Sequence, residues 1–142
     1  MAKVRNILQK KGTAVFSVNS GTTVYEAIEK MNEKHIGGVL IVDDGKLVGI
    51  FTERDYARKL ILQGLSCHDT TIDKVMTPNP FTVSPDDSIE DCMKMMTNKH
   101  IRHLPVVENG KLGGMISIGD LVKSIIEEQQ FIIEHLESYI TH

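Results

Sequence analysis

Apolar residues recur along this chain in a helical register, then a strand register, and the whole succession occurs twice. Val24, Ala27, Ile28 and Met31 stand at i, i+3, i+4 and i+7, the stripe of a one-sided helix. Ile89, Cys92, Met93 and Met96 repeat it. Thr22 and Asp87 precede the two stripes at matched positions and are expected to cap the helices. A short strand is expected ahead of each, over residues 14–18 and 81–83. Two apolar runs follow each stripe, 39–42 with 47–51 and 104–107 with 112–116. They are joined by Asp43-Asp44-Gly45-Lys46 and Glu108-Asn109-Gly110-Lys111. Asp-Gly or Asn-Gly between apolar runs predicts a tight hairpin. Pro105 has no N–H, which places it at a sheet edge or strand start. A last helix uses Tyr56, Leu60 and Ile61 in the first copy, and Leu121, Val122, Ile125 and Ile126 in the second.

A shift of 65 residues aligns 16–57 with 81–122 without a gap. Lys34-His35-Ile36 meets Lys99-His100-Ile101, and Gly45-Lys46-Leu47 meets Gly110-Lys111-Leu112. A weaker echo pairs Val4-Arg5-Asn6-Ile7-Leu8 with Ile72-Asp73-Lys74-Val75-Met76. Each repeat is therefore a β-α-β-β-α unit with a lead-in, giving domains at 1–68 and 69–142. Neither unit is large enough to be comfortable alone. Two copies packed through their sheets, with an approximate two-fold axis and two related clefts, make an α+β or α/β module.

Each copy also carries one short turn. Gly49-Ile50-Phe51-Thr52-Glu53-Arg54-Asp55 matches Gly114-Met115-Ile116-Ser117-Ile118-Gly119-Asp120. A hydroxyl residue followed three positions later by an acid is a capping box. A helix N-terminus also presents free N–H groups and a positive dipole end, so the same turn can receive an anionic ligand.

Composition narrows the field. The chain has 142 residues, 41% hydrophobic and 25% charged, with a net charge of −3. That is ordinary for a globular protein and leaves no electrostatic footprint for nucleic acid. No apolar run approaches the ~20 residues of a membrane span. Residues 1–11 lack the apolar region of a secretory signal and read better as the lead-in. Cys67 and Cys92 form neither a disulfide framework nor a zinc spacing, which fits a reducing, cytoplasmic setting.

The turns, the His100-Ile101-Arg102-His103-Leu104-Pro105-Val106-Val107 stretch and Val75-Met76-Thr77-Pro78 together resemble a tandem pair of cystathionine-β-synthase (CBS) domains, a Bateman module. The resemblance runs from Val4 to about Glu128 and is similar to small stand-alone CBS-pair proteins. It implies a regulatory sensor of adenosine-containing ligands: AMP, ADP, ATP, S-adenosylmethionine or NAD(H). It implies that Asp55 and Asp120 hold the ribose hydroxyls and that Thr52 and Ser117 face the phosphate or ribose. Gly119 stands in the second turn where Arg54 stands in the first. Backbone at Val15, Phe16, Pro80 and Phe81 would read the adenine. Arg102 and His103 would contact phosphate, and their counterparts Gly37 and Gly38 carry no charge, which Arg54 compensates. No further cofactor is implied. The module is expected to pair into a homodimer and to modulate a separate protein.

Other constellations have plainer readings. Cys92 and the stripe methionines are core filler. His35 and His100 close their helices, where an imidazole can satisfy terminal carbonyls. His100 and His103 lack a third metal ligand. Cys67-His68-Asp69 lies in the connector and reads as a loop. No nucleophile–base–oxyanion set is present, so the expectation is a non-enzyme. In the tail, Leu121, Ile125, Ile132, Leu136 and Tyr139/Ile140 extend a helical stripe past the repeat and point to a partner surface. The competing reading is a constitutive structural adaptor whose turns are only capping boxes.

Overall fold

The computed structural model describes residues 2–141. The chain falls into two compact units, Ala14–Phe81 and a composite of Met1–Thr13 with Thr82–His142. This partition differs from a division at 68/69. Each lead-in belongs to the unit built from the other repeat, because its apolar residues complete that unit's core.

In the Ala14–Phe81 unit, β1 (Ser17–Val18), β2 (Gly38–Asp43), β3 (Lys46–Thr52) and β4 (Thr77–Pro78) form one sheet in that order. β1 runs parallel to β2; the other pairings are antiparallel. α2 (Val24–Lys34) turns Val24, Ala27 and Met31 into a core with Val39, Ile41, Phe51, Leu60, Ile72 and Val75. α3 (Glu53–Asp55) leads into a π-helical turn, Tyr56–Ile61.

In the composite unit, α1 (Val4–Lys11) packs against α5 (Ile118–Thr141) and the hairpin of β5 (His103–Glu108) and β6 (Lys111–Ser117). α4 (Ile89–Lys99) packs against β5 and α5. Val4, Ile7 and Leu8 of the lead-in share one core with Ile89, Cys92, Met96, Leu104, Val106, Ile116 and Leu121. The start of α1 is tied to the segment before α4: Val4 N–H donates to the Asp87 carbonyl at 3.0 Å and Arg5 N–H to the Pro85 carbonyl at 2.9 Å.

Both hairpins have the expected tight turn. Asp44 and Gly45 have φ of 50° and 77°, and Asn109 and Gly110 have 53° and 76°. Both central residues thus take the left-handed conformation that Asp/Asn-Gly tolerates. A register shift falls at Ile41/Val42 and again at Val106/Val107, the same place in each repeat.

Several expectations are corrected locally. The helix caps are Thr23 and Ser88, one residue after Thr22 and Asp87, accepting from Glu26 and Asp91 N–H. The first strand shrinks to Ser17–Val18, and over 81–83 only an isolated parallel bridge, Val83 to Val106, forms. Ile61, Val122 and Ile126 are exposed, since each lies one position round the helix from a core residue. His35 and His100 end their helices through left-handed backbone, with N–H bonds to preceding carbonyls. Cys92 is fully buried, and burial first, then Asp87 and Asp91, pushes its thiol up to about 11. His68 stacks on Tyr25 with ring centroids 4.1 Å apart, which gives the connector a packing contact.

Candidate functional site

The two turns are built alike, each inside its own unit. In the first, Thr52 closes β3 and caps α3. The next residue, Glu53, donates its N–H to the Gly37 carbonyl at 3.2 Å, and Thr52 pairs with Gly38 in the sheet. The strand opening and the turn therefore lie side by side. Asp55 Oδ2 accepts Thr52 N–H at 2.9 Å and its hydroxyl at 3.3 Å. Asp55 N–H donates back to Thr52 Oγ1 at 3.4 Å. Both arms of the capping box are made.

The other oxygen of Asp55 is taken as well. Oδ1 accepts the Thr77 hydroxyl at 3.1 Å and faces Lys59 Nζ at 3.2 Å. Lys59 donates also to Thr77 Oγ1 at 3.1 Å and to the Met76 carbonyl at 3.3 Å. With side-chain donors on both oxygens, Asp55 is only 7% exposed. Arg54 lies exposed on α3. Phe16 immediately precedes β1, its carbonyl accepting Leu40 N–H at 3.2 Å and Lys34 Nζ lying 5.4 Å from its ring centroid. Val15 precedes it. Pro80 and Phe81 follow β4 outside any strand, and Phe81 is exposed.

The second turn repeats this geometry with different partners. Ile118 N–H donates to the Arg102 carbonyl at 2.9 Å, and His103 pairs with Ser117. Asp120 Oδ2 accepts Ser117 N–H at 2.8 Å and its hydroxyl at 3.1 Å, and Asp120 N–H donates to Ser117 Oγ at 3.3 Å. Lys11, the last residue of α1, reaches the same Oδ2 at 2.7 Å and the Met115 carbonyl at 2.9 Å. Burial pushes the Asp120 carboxyl up, but the Lys11 hydrogen bond, the Ser117 N–H and the Lys11 charge outweigh it and hold it below the ordinary aspartate value. Its side chain is 22% exposed and borders a groove of about 540 Å³ between α1 and α5. Lys10, Lys11 and Lys123 line that groove together with Glu127 and Glu128. A Cβ on Gly119 would meet Ser117 Oγ only at 3.6 Å, an ordinary contact, so no close approach demands glycine there.

The turn glycines have a steric reason. A Cβ on Gly49 would overlap Met76 Sδ, and on Gly114 it would come to 2.8 Å from Leu8 Cδ2. Each glycine lets a lead-in lie against the strand before the turn. Those lead-ins deliver Thr77 to Asp55 and Lys11 to Asp120. Sequence reading missed both contacts. Lys59 carried a signal, since Asp55 and Lys59 stand at i and i+4.

A CBS domain family profile matches residues 4–62 and 72–127. The CBS domain-containing protein CBSX3, mitochondrial, of Arabidopsis thaliana is 38% identical over 123 residues, 83% of this chain. The chain spans 60% of that relative's length. A solved protein with CBS domains from Burkholderia ambifaria is 46% identical with a TM-score of 0.88, over 90% of this chain and 96% of its own. The CBS domain pair of protein MJ0100, solved in complex with 5′-methylthioadenosine and S-adenosyl-L-methionine, is 27% identical with a TM-score of 0.79, over 90% and 98%.

Proposed function

The chain belongs to the CBS domain family as a tandem pair, and on that premise we propose that it is a regulatory module that binds an adenosine-containing ligand, foremost at the Asp120 turn. The observation that carries this is the state of the Asp120 carboxylate. It is fixed by Ser117 at the start of α5, part of it is open, and it borders a groove that also carries Lys10, Lys11 and Lys123 beside Glu127 and Glu128. A carboxylate so placed can accept from both hydroxyls of a ribose, and the groove lysines favour a phosphate nearby. The adenosine ligands held by the MJ0100 pair support the ligand class. AMP, ADP, ATP, S-adenosylmethionine and NAD(H) all fit that description.

Arg102 and His103, beside the second turn, and Arg54, in the first, are proposed as phosphate contacts. Backbone near Val15, Phe16, Gly37, Gly38, Pro80 and Phe81 is proposed to read the base. The structural reading fits the first turn better. Thr52, Thr77 and Lys59 occupy both oxygens of Asp55, so a ribose must displace Thr77 and Lys59 to enter. Asp55 is thus the weaker acceptor of the two.

The module is further proposed to act as a homodimer in a reducing, cytoplasmic setting, modulating a separate protein rather than catalysing a reaction. Ile132, Leu136 and Tyr139 are exposed on α5, while Glu127, Glu134 and Glu137 occupy the opposite face. A second copy of α5 covers such a stripe with the same stripe and leaves both acidic faces in water. Among the described residues no helix is long and apolar enough to cross a membrane.

Calorimetric titration of Asp120→Ala and Asp55→Ala with the five ligands tests the assignment. Asp120→Ala is expected to remove the tighter binding event at a structural loss of about 1 kcal/mol, one capping interaction. Unchanged affinity in Asp120→Ala for every ligand bound by the parent chain would exclude the ribose role.

A further inference from the structure

We propose that Lys11 makes the Asp120 turn prefer phosphorylated adenosine ligands over the bare nucleoside. The inference rests on the ribose-binding reading of Asp120 and concerns a residue outside the turn itself.

Three donors converge on Asp120 Oδ2: Ser117 N–H, the Ser117 hydroxyl and Lys11 Nζ. The first two are the helix cap and belong to the turn. Lys11 comes from another element, α1, and its side chain is 37% exposed against 22% for Asp120. A ribose that engages both carboxylate oxygens meets Oδ2 with these donors already in place, and the one contact there that can yield without opening the helix cap is the lysine.

A displaced ammonium needs a new acceptor. Of its two contacts here, the Met115 carbonyl at 2.9 Å is neutral and takes the place of only one. Glu127 and Glu128 also line the groove, and Glu127 is held by Lys10 at 3.0 Å; a lysine that turns to either glutamate gains nothing from the nucleoside itself. A nucleoside therefore removes a charge-assisted bond and returns nothing to the lysine. A nucleotide brings its own anion, and Nζ can pass from carboxylate to phosphate while the ribose takes the carboxylate. The contact that opposes nucleoside binding is thereby re-formed with the nucleotide. The first turn lacks this device. Its lysine, Lys59, shares a helical run with Asp55 and is tied also to Thr77 and the Met76 carbonyl.

The test is calorimetry with AMP and with adenosine on the parent chain, Lys11→Met, Lys11→Arg and Asp120→Ala. Thermal unfolding confirms that each variant is folded, with Lys11→Gln as a second neutral variant. One charge-assisted hydrogen bond corresponds to about tenfold or more in affinity. The AMP-to-adenosine affinity ratio is expected to fall about tenfold in Lys11→Met and Lys11→Gln and to persist in Lys11→Arg. An unchanged ratio in the neutral variants, with AMP binding still lost in Asp120→Ala, overturns the Lys11 assignment and leaves the ribose reading standing. Equal AMP affinity in the parent and Asp120→Ala overturns both.

Discussion

Alanine at Gly49 and alanine at Gly114 are the same change at the same place in the two repeats, and the structure assigns them different outcomes. At Gly49 the added methyl would overlap Met76 Sδ and lie 3.0 Å from Met76 Cγ and 3.1 Å from the Thr77 carbonyl. The last of these is backbone of β4, in register against Gly49 and Ile50, and it cannot rotate away. Overpacking of this kind costs about 1–3 kcal/mol. The gain from replacing glycine in a strand offsets about 0.5–1 kcal/mol, and because the backbone contact holds the cost at the upper part of its range, a net loss of up to about 2.5 kcal/mol is expected. At Gly114 the nearest atoms are all from the Leu8 side chain, at 2.8, 3.3 and 3.7 Å. A leucine terminus can turn, and the expected change is within about 1 kcal/mol. Urea unfolding of the two variants measures the difference. Amide exchange locates it, because Asn79 N–H donates to the Val48 carbonyl at 3.3 Å and reports on β4 directly. Gly49→Ala should speed that exchange and, by moving Thr77, loosen the hold on Asp55. A neutral Gly49→Ala beside a strongly destabilised Gly114→Ala would refute the close-approach argument.

Two further outcomes follow from the charges and the exposed helix. Because the folded carboxyl of Asp120 lies below its unfolded value, its contribution is present above the unfolded pKa of ~3.9 and is lost as the pH falls through the folded one. Asp120→Asn should accordingly flatten the acid limb of the stability profile, seen by chemical unfolding between about pH 5 and 2; an unaltered slope would remove the ion pair from the account. Leu136→Glu on the full chain should turn a dimer into a monomer in light scattering at tens of micromolar, without loss of thermal stability in the monomer, since Leu136 is exposed within one chain. A dimer that survives the change would place the interface elsewhere.

What the sequence determined was local. The hairpins follow from Asp44-Gly45 and Asn109-Gly110, whose backbone preference acts over four residues. α2 and α4 follow from stripes with the helical period, and the capping boxes of Thr52/Asp55 and Ser117/Asp120 from a spacing of three. The repeat and the resemblance to the CBS pair were legible for the same reason: short motifs recur at one offset. The tertiary structure decided which unit each lead-in completes. No periodicity in Val4-Arg5-Asn6-Ile7-Leu8 says whether it buries against its own repeat or the other. That depends on which core lacks Val4, Ile7 and Leu8, a sum over contacts distant along the chain. The same choice brought Lys11 to Asp120, 109 residues away, and Thr77 to Asp55, 22 away. It paired β4 with β3 and reduced the strand at 81–83 to one bridge, since a short strand exists only where a partner edge is offered. Two turns that read alike in sequence therefore differ in what holds their carboxylates, because the holding groups arrive from elsewhere in the chain.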